Sequence, residues 1–319
     1  MLNTRVFSLV ITLSIITLLI AGCGGGSGSG EPREFTVAFS GYIMGQLGPC
    51  KCPGNPLGGF ARRSTALQKE IAERDGMLIL DAGKWVSLDM EDGVAKSKIT
   101  AALLAELGVQ AVNVTMRDAR LGRETLLELK EEHELPFLSA NLVEAGTNKR
   151  VFPASKKISV KFKDGGELEV AVIGVCRAGP SNYMPEETNL TFIDPGPALL
   201  KAYNKVKDAD CVLILCDADR SVAADWLGYL EAETGTRPDI VLSSNMHPIR
   251  SARILIGQTP MTTAGMQGKY LDLVQVIPLK ETGWDIRKSG IKLDATVPDD
   301  PKILELISIM SGDTLKITH

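Results

Sequence analysis

No basic excess runs through this sequence. Of 319 residues, 35 are Lys or Arg and 39 are Asp or Glu, a formal net charge of −4, and the cations form no stripe. That argues against a nucleic-acid partner, because phosphate backbones are held by clustered cations. No Cys-x-x-Cys-His occurs, so the chain attaches no c-type haem of its own. There is no internal repeat. Histidine is scarce: His133, His247 and His319 are the only three. His133 at a charged helix end and His319 at the terminus suit solvent better than a ligand site. Aromatic residues are only 5%, and Trp85 and Trp226 sit beside apolar segments, where they are read as core.

One long apolar run is present, at the N-terminus. Arg5 is the only charge before Cys23, and 6–20 is apolar with scattered Ser and Thr. The run is too short and ends too sharply to span a bilayer comfortably. It closes with Leu19-Ile20-Ala21-Gly22-Cys23, small residues directly before a Cys. The expectation is a lipoprotein signal peptide over 1–22, with the lipid on the thiol of Cys23 making the protein membrane-anchored. Residues 24–30, GGGSGSG, make 23–33 a flexible tether. Gly24 is not acidic, which favours the outer over the inner membrane of a bacterial envelope. Six Cys are present. With Cys23 lipidated, Cys50, Cys52, Cys176, Cys211 and Cys216 remain, an odd set that cannot all pair within one chain.

The body of the chain alternates strand and helix patterns. Strands are predicted over 35–39, 77–80, 110–114, 136–139, 211–215, 239–242, 253–256 and 270–277. Helices are predicted over 59–74, 96–107, 123–132, 198–206, 221–233 and 301–310. Segments 158–162 and 168–175 flank Lys163-Asp164-Gly165-Gly166, a hairpin signature. Asp194-Pro195 suits a helix start. The pattern is α/β with mixed sheets.

The segment junctions are more telling. Gly58-Gly59-Phe60-Ala61-Arg62-Arg63, Leu78-Ile79-Leu80-Asp81-Ala82-Gly83 and Leu138-Ser139-Ala140-Asn141 occur in that order. Val172-Ile173-Gly174-Val175, Phe192-Ile193-Asp194-Pro195 and Pro238-Asp239-Ile240-Val241-Leu242 follow, then Thr259-Pro260-Met261 and Ala264-Gly265-Met266-Gln267-Gly268-Lys269-Tyr270-Leu271. This series resembles the calcineurin-like metallophosphoesterase domain of the periplasmic 5′-nucleotidase and UDP-sugar hydrolase family over about 34–292. The resemblance implies a four-layer αββα sandwich with two mixed sheets, a 293–319 extension where the family's connecting helix would lie, and no nucleoside-binding half.

It also implies a two-metal site, whose ligands are Asp, His and Asn. Tyr42-Ile43-Met44 stands where the family has Asp-x-His. Lys84 replaces the bridging Asp of Asp-Ala-Gly-Asp. Thr115-Met116-Arg117-Asp118 replaces Gly-Asn-His-Glu. Asp217 stands where a His follows a strand, and Ser244-Asn245-Met246-His247 replaces Gly-His-x-His. Only His247 is unchanged, although Asp217 and Asn245 still offer oxygen. Tyr42 and Met44 are poor ligands for hard cations, and Lys84 and Arg117 bring charge of the wrong sign. A dimetal cluster is not expected, and a catalytically degenerate binding or accessory protein is; the enzyme alternative is a phosphoesterase with a rebuilt site around Asp217, Asn245 and His247.

Three replacements stay open. Cys50-Lys51-Cys52 can bind a soft metal, form a disulfide or couple to a redox partner. With Cys216, Asp217 and His247 it can hold one zinc or copper ion. Cys176, Cys211 and Cys216 also fit as small apolar residues in strands. Pro49-Cys50-Lys51-Cys52 followed by Leu57-Gly58-Gly59 resembles a subgroup of the family that neighbours multihaem cytochromes, which implies an electron-transfer partner. Lys84 and Arg117 can hold a small oxyanion such as phosphate, or pair with Asp81, Asp118 or Asp217 and seal the pocket. The last replacement is an interaction scaffold.

Overall fold

The computed structural model describes residues 32–89, 91–179, 186–245, 253–281 and 283–312. Cys23 with the 1–22 leader, His247 and His319 lie outside them. In chain order the elements are β1 (Phe35–Ser40), α1 (Phe60–Glu73), β2 (Met77–Asp81), α2 (Gly93–Glu106), β3 (Ala111–Asn113), α3 (Met116–Ala119), α4 (Arg123–Glu132), β4 (Phe137–Leu138), β5 (Leu142–Glu144), β6 (Ser155–Lys161), β7 (Glu167–Cys176), β8 (Leu190–Phe192), α5 (Pro195–Tyr203), β9 (Cys211–Asp217), α6 (Arg220–Thr234), β10 (Ile240–Ser243), β11 (Ile254–Ile256), β12 (Thr259–Thr263), β13 (Tyr270–Pro278), β14 (Trp284–Lys292) and α7 (Pro301–Ser311).

Two six-stranded sheets form, ordered β14-β13-β1-β2-β3-β4 and β11-β12-β10-β9-β7-β6. Both are mixed. In the first, β1 to β4 run parallel, β13 runs antiparallel to β1, and β14 runs antiparallel to β13. In the second, β7, β9, β10 and β12 run parallel with antiparallel β6 and β11 at the edges.

Side-chain alternation sets the layers, since successive strand residues point to opposite faces. Phe35, Val37 and Phe39 of β1 meet Cys211, Leu213 and Leu215 of β9 in a core between the sheets. Ala38, the opposite face of β1, packs with Leu67 of α1 and Leu103 of α2. Val212, Ile214 and Cys216, the opposite face of β9, pack with Leu199 of α5 and Leu227 of α6. This is the helix–sheet–sheet–helix stack expected from the sequence.

Helix starts follow local chemistry. Asp194 caps α5 by accepting from the Gly196 N–H at 3.0 Å, with Pro195 in the first turn. That moves α5 three residues ahead of the predicted 198–206. Asp219 caps α6 and Asp300 caps α7 in the same way. α7, in the 293–319 extension, places Ile303 and Ile307 in the core with α1 and α2.

Candidate functional site

The parallel strands β1, β2, β3, β7, β9 and β10 end at Ser40, Asp81, Asn113, Cys176, Asp217 and Ser243. In open α/β sheets ligands sit beyond such carboxyl ends. The loops after β1 and β2 lie side by side above this crest. Tyr42 N donates to Gly83 O at 2.8 Å, Met44 N to Lys84 O at 2.9 Å and Gly45 N to Trp85 O at 2.8 Å. Gly83 has φ of 94°, and a Cβ there would sit 2.4 Å from Thr115 Cγ2, so only glycine fits. Tyr42, Met44 and Lys84 adopt φ of 58°, 60° and 62°. Left-handed backbone costs a side-chain-bearing residue roughly 1–3 kcal/mol. All three are positions that the sequence reading set against metal-ligand motifs.

The crest carboxylates are already engaged. Asp81 accepts from Ser40 Oγ at 2.6 Å and from the Gly83 N–H at 2.7 Å. Burial outweighs both bonds and pushes its carboxyl up to about 6. Asp118 accepts from the Thr115 hydroxyl at 2.6 Å and from the N–H groups of Thr115, Lys84 and Val86 at 2.9, 2.9 and 3.2 Å. It too is raised by burial. Asp118 thus organises the loop after β2 through its backbone.

Lys84 spans the two sheets. Its Nζ lies 2.6 Å from Asp217 Oδ1, with side chains only 11% and 4% exposed. The contact is an ion pair without an aligned hydrogen bond. The same ammonium stands 5.1 Å from the centre of the Tyr42 ring, within cation–π range. A cation supplied by the chain thus faces the carboxylate at the end of β9.

Other predicted positions scatter. Arg117 donates from Nε to Val86 O at 2.7 Å, and partial burial holds its guanidinium below the usual range. Met116 is half-buried, its N–H on Cys176 Sγ at 3.4 Å. Asn245 is half-buried, its N–H on Ser243 Oγ at 3.0 Å. Cys216 corrects an expectation. It follows Leu215 onto the opposite face of β9, within the α5–α6 core, where burial pushes its thiol up to about 12. It therefore does not join Cys50 and Cys52, which are disulfide-bonded to each other, and as a disulfide these two are not thiolate ligands. Asn113 was not anticipated. Its Nδ2 donates to Ala82 O at 3.3 Å and Val175 O at 3.2 Å, tying the sheets together, while its buried Oδ1 has no hydrogen-bond partner. An amide closing the apolar stretch Ala111-Val112-Asn113 was the available signal.

These donors do not fit a pair of dications. Lys84 sets its ammonium against Asp217, and Asp81 and Asp118 already accept from local donors. Among the described residues no group of three or more His, Cys, Asp or Glu side chains gathers as a metal site.

No family model matches the sequence. The chain is 25% identical over 294 residues to snake venom 5′-nucleotidase from Naja atra, covering 82% of this chain and 52% of that one. It spans about half the length of that relative. The structure resembles the 5′-nucleotidase precursor from Thermus thermophilus, with a TM-score of 0.70 at 16% identity, covering 88% of this chain and 58% of that one. It also resembles the calcineurin-like phosphoesterase YfkN from Bacillus subtilis, with a TM-score of 0.64 at 15% identity, covering 87% and 96%. With two mixed sheets between helices and this set of relatives, the chain has the calcineurin-like metallophosphoesterase fold and resembles that domain of the 5′-nucleotidases.

Proposed function

We propose that this protein is a catalytically degenerate 5′-nucleotidase-like domain, held at the bacterial envelope by lipid on Cys23, where it acts as a binding or accessory protein. The observation that carries the reading is the Lys84–Asp217 ion pair at 2.6 Å. Two charges this close in a poorly hydrated pocket neutralise each other, and a dication entering there would have to displace an ammonium already paired. The oxyanion reading is weakened by the same contact, because Lys84 has its anion in Asp217. Arg117 alone, with Nε on Val86 O, is a poorer phosphate clamp than a matched Lys and Arg.

Lipid anchoring is supported by the sequence alone, from Arg5 through the apolar run to Ala21-Gly22-Cys23. An outer-membrane position and a cytochrome neighbour are parts of the same proposal. The test is hydrolysis of nucleoside monophosphates, UDP-sugars and bis(p-nitrophenyl) phosphate with added Mn²⁺, Co²⁺ or Zn²⁺. No turnover above buffer is expected. Turnover that a chelator abolishes would overturn the reading. For the anchor, intact mass should show diacylglycerol on Cys23 and its loss in Cys23→Ser.

A further inference from the structure

Away from the crest, the loop between β1 and α1 closes on itself around Cys50. The Cys50 N–H donates to Leu57 O at 2.8 Å. In return, the Leu57 N–H points at Cys50 Sγ at 3.4 Å. Gly58 and Gly59, at φ of 92° and 97°, then turn the chain into α1 where side chains would be strained. Cys50 is only 8% exposed, whereas Cys52 is half-buried and Lys51 lies in solvent. Cys50 and Cys52 both line a cavity of about 910 Å³ between this loop and α7. Arg62, Leu304, Ile307 and Ser308 are among its walls, and none of the former metal-ligand positions lines it.

We infer that the Cys50–Cys52 disulfide is a thiol–disulfide exchange site for a dithiol partner that reaches it through this cavity. The two sulfurs are unequal in the way such chemistry requires. Cys52 is the more accessible, so an incoming thiolate attacks Cys52 Sγ. The S–S bond breaks and Cys50 leaves as the thiolate, where the Leu57 N–H steadies its charge. The partner's second thiol then attacks its own sulfur in the mixed disulfide and releases Cys52. The partner ends as a disulfide, Cys50 and Cys52 end as thiols, and the two protons come from the partner's thiols. Two electrons have moved and no other reagent is needed. Cys176, Cys211 and Cys216 stay outside the exchange: each is buried, and burial raises each thiol. The inference does not depend on the crest being inactive.

The test uses the purified full chain under native conditions, in buffers of graded reduced-to-oxidised dithiothreitol ratio, with thiols trapped by alkylation and located by peptide mass. Cys50 and Cys52 should become alkylated together along one two-electron curve, with Cys176, Cys211 and Cys216 unlabelled. A disulfide that stays closed in excess dithiothreitol until the protein unfolds would overturn the inference. In a second arm, Cys50→Ser should capture oxidised glutathione at Cys52 at least tenfold faster than Cys52→Ser captures it at Cys50. Equal rates would overturn the assigned order of attack. In a third arm a small protein dithiol replaces dithiothreitol. Faster reduction by the protein dithiol at equal thiol concentration supports a protein partner; reduction only by the small reagent rejects it.

Discussion

Below the strand ends, Phe35, Val37 and Phe39 interleave with Cys211, Leu213 and Leu215, each contact set by strand alternation. Above them, Tyr42, Met44 and Lys84 hold left-handed backbone, and their side chains are ones that two dications would not choose. The lower region is a buried apolar core between the two sheets of a phosphoesterase-like sandwich. The upper is a polar crest in which Lys84 and Asp217 face each other as an ion pair. On the proposed reading, a framework of buried apolar contacts tolerates loss of the ligands, provided that the charge left behind is matched. Asp217 remains a buried carboxylate, and Lys84 supplies the cation that such a group needs.

The comparison breaks first where the two regions meet. Trp85 follows Lys84, is fully buried and stacks on Phe137 with ring centres 5.7 Å apart. Trp85→Ala should cost about 3–5 kcal/mol in denaturant unfolding. Trp85→Phe should cost under about 1.5 kcal/mol, because the indole N–H has no partner to lose.

Next is the ion pair. Asp217→Ala strands an ammonium that is 11% exposed, and the expected loss lies near the lower end of the ~3–5 kcal/mol typical of broken buried pairs. Lys84→Met with Asp217→Leu should be far milder than Asp217→Ala. A double variant no more stable than the single one would mean that the pair does not balance the pocket.

A pH profile sharpens the contrast further. Asp81, raised to about 6 by burial, binds a proton more tightly folded than unfolded. Its ionisation therefore penalises folding progressively from about pH 4 to about pH 6, and fully above that. Asp81→Asn should gain roughly 2–3 kcal/mol at pH 7 and nothing near pH 4. Thermal unfolding of both proteins across that window checks it. Asp239, also raised to about 6 by burial, lies at the opposite end of β10, so Asp239→Asn measures the same effect away from the crest. The smallest effect belongs to the β1–α1 loop, where Cys50→Ser with Cys52→Ser should cost about 1–2 kcal/mol, because the ring it closes is short.

Much of the framework was legible because it rests on alternation. β1, β9 and the β6–β7 hairpin announce themselves by apolar period or turn residues. β12 does not: Thr259–Thr263 is polar and carries a proline, yet all five residues are buried. β14 was hidden by Lys288, whose ammonium lies 3.4 Å from Asp272 inside the structure and not in solvent, where a lysine is first placed. β5 and β8 are three residues each, too short to show a period. At the crest, the ordered motifs picked out positions that the fold brings to the strand ends, but nothing local chose among Asp81, Asp118 and Asp217 as the partner of Lys84. The first two turn out to be engaged by neighbouring backbone, and the third is brought from the other sheet by the fold. Strand alternation already put Cys216 opposite Leu215, and that signal outweighs proximity to Asp217 in the chain.

The most direct measurement is metal stoichiometry at the crest, by equilibrium dialysis of the full chain against Mn²⁺ and Zn²⁺, beside Asp217→Ala. The expected result is no pair of bound ions in the wild type and no difference between the two proteins that tracks Asp217. Two equivalents bound by the wild type and lost in Asp217→Ala would contradict the claim that Lys84 has taken the metals' place.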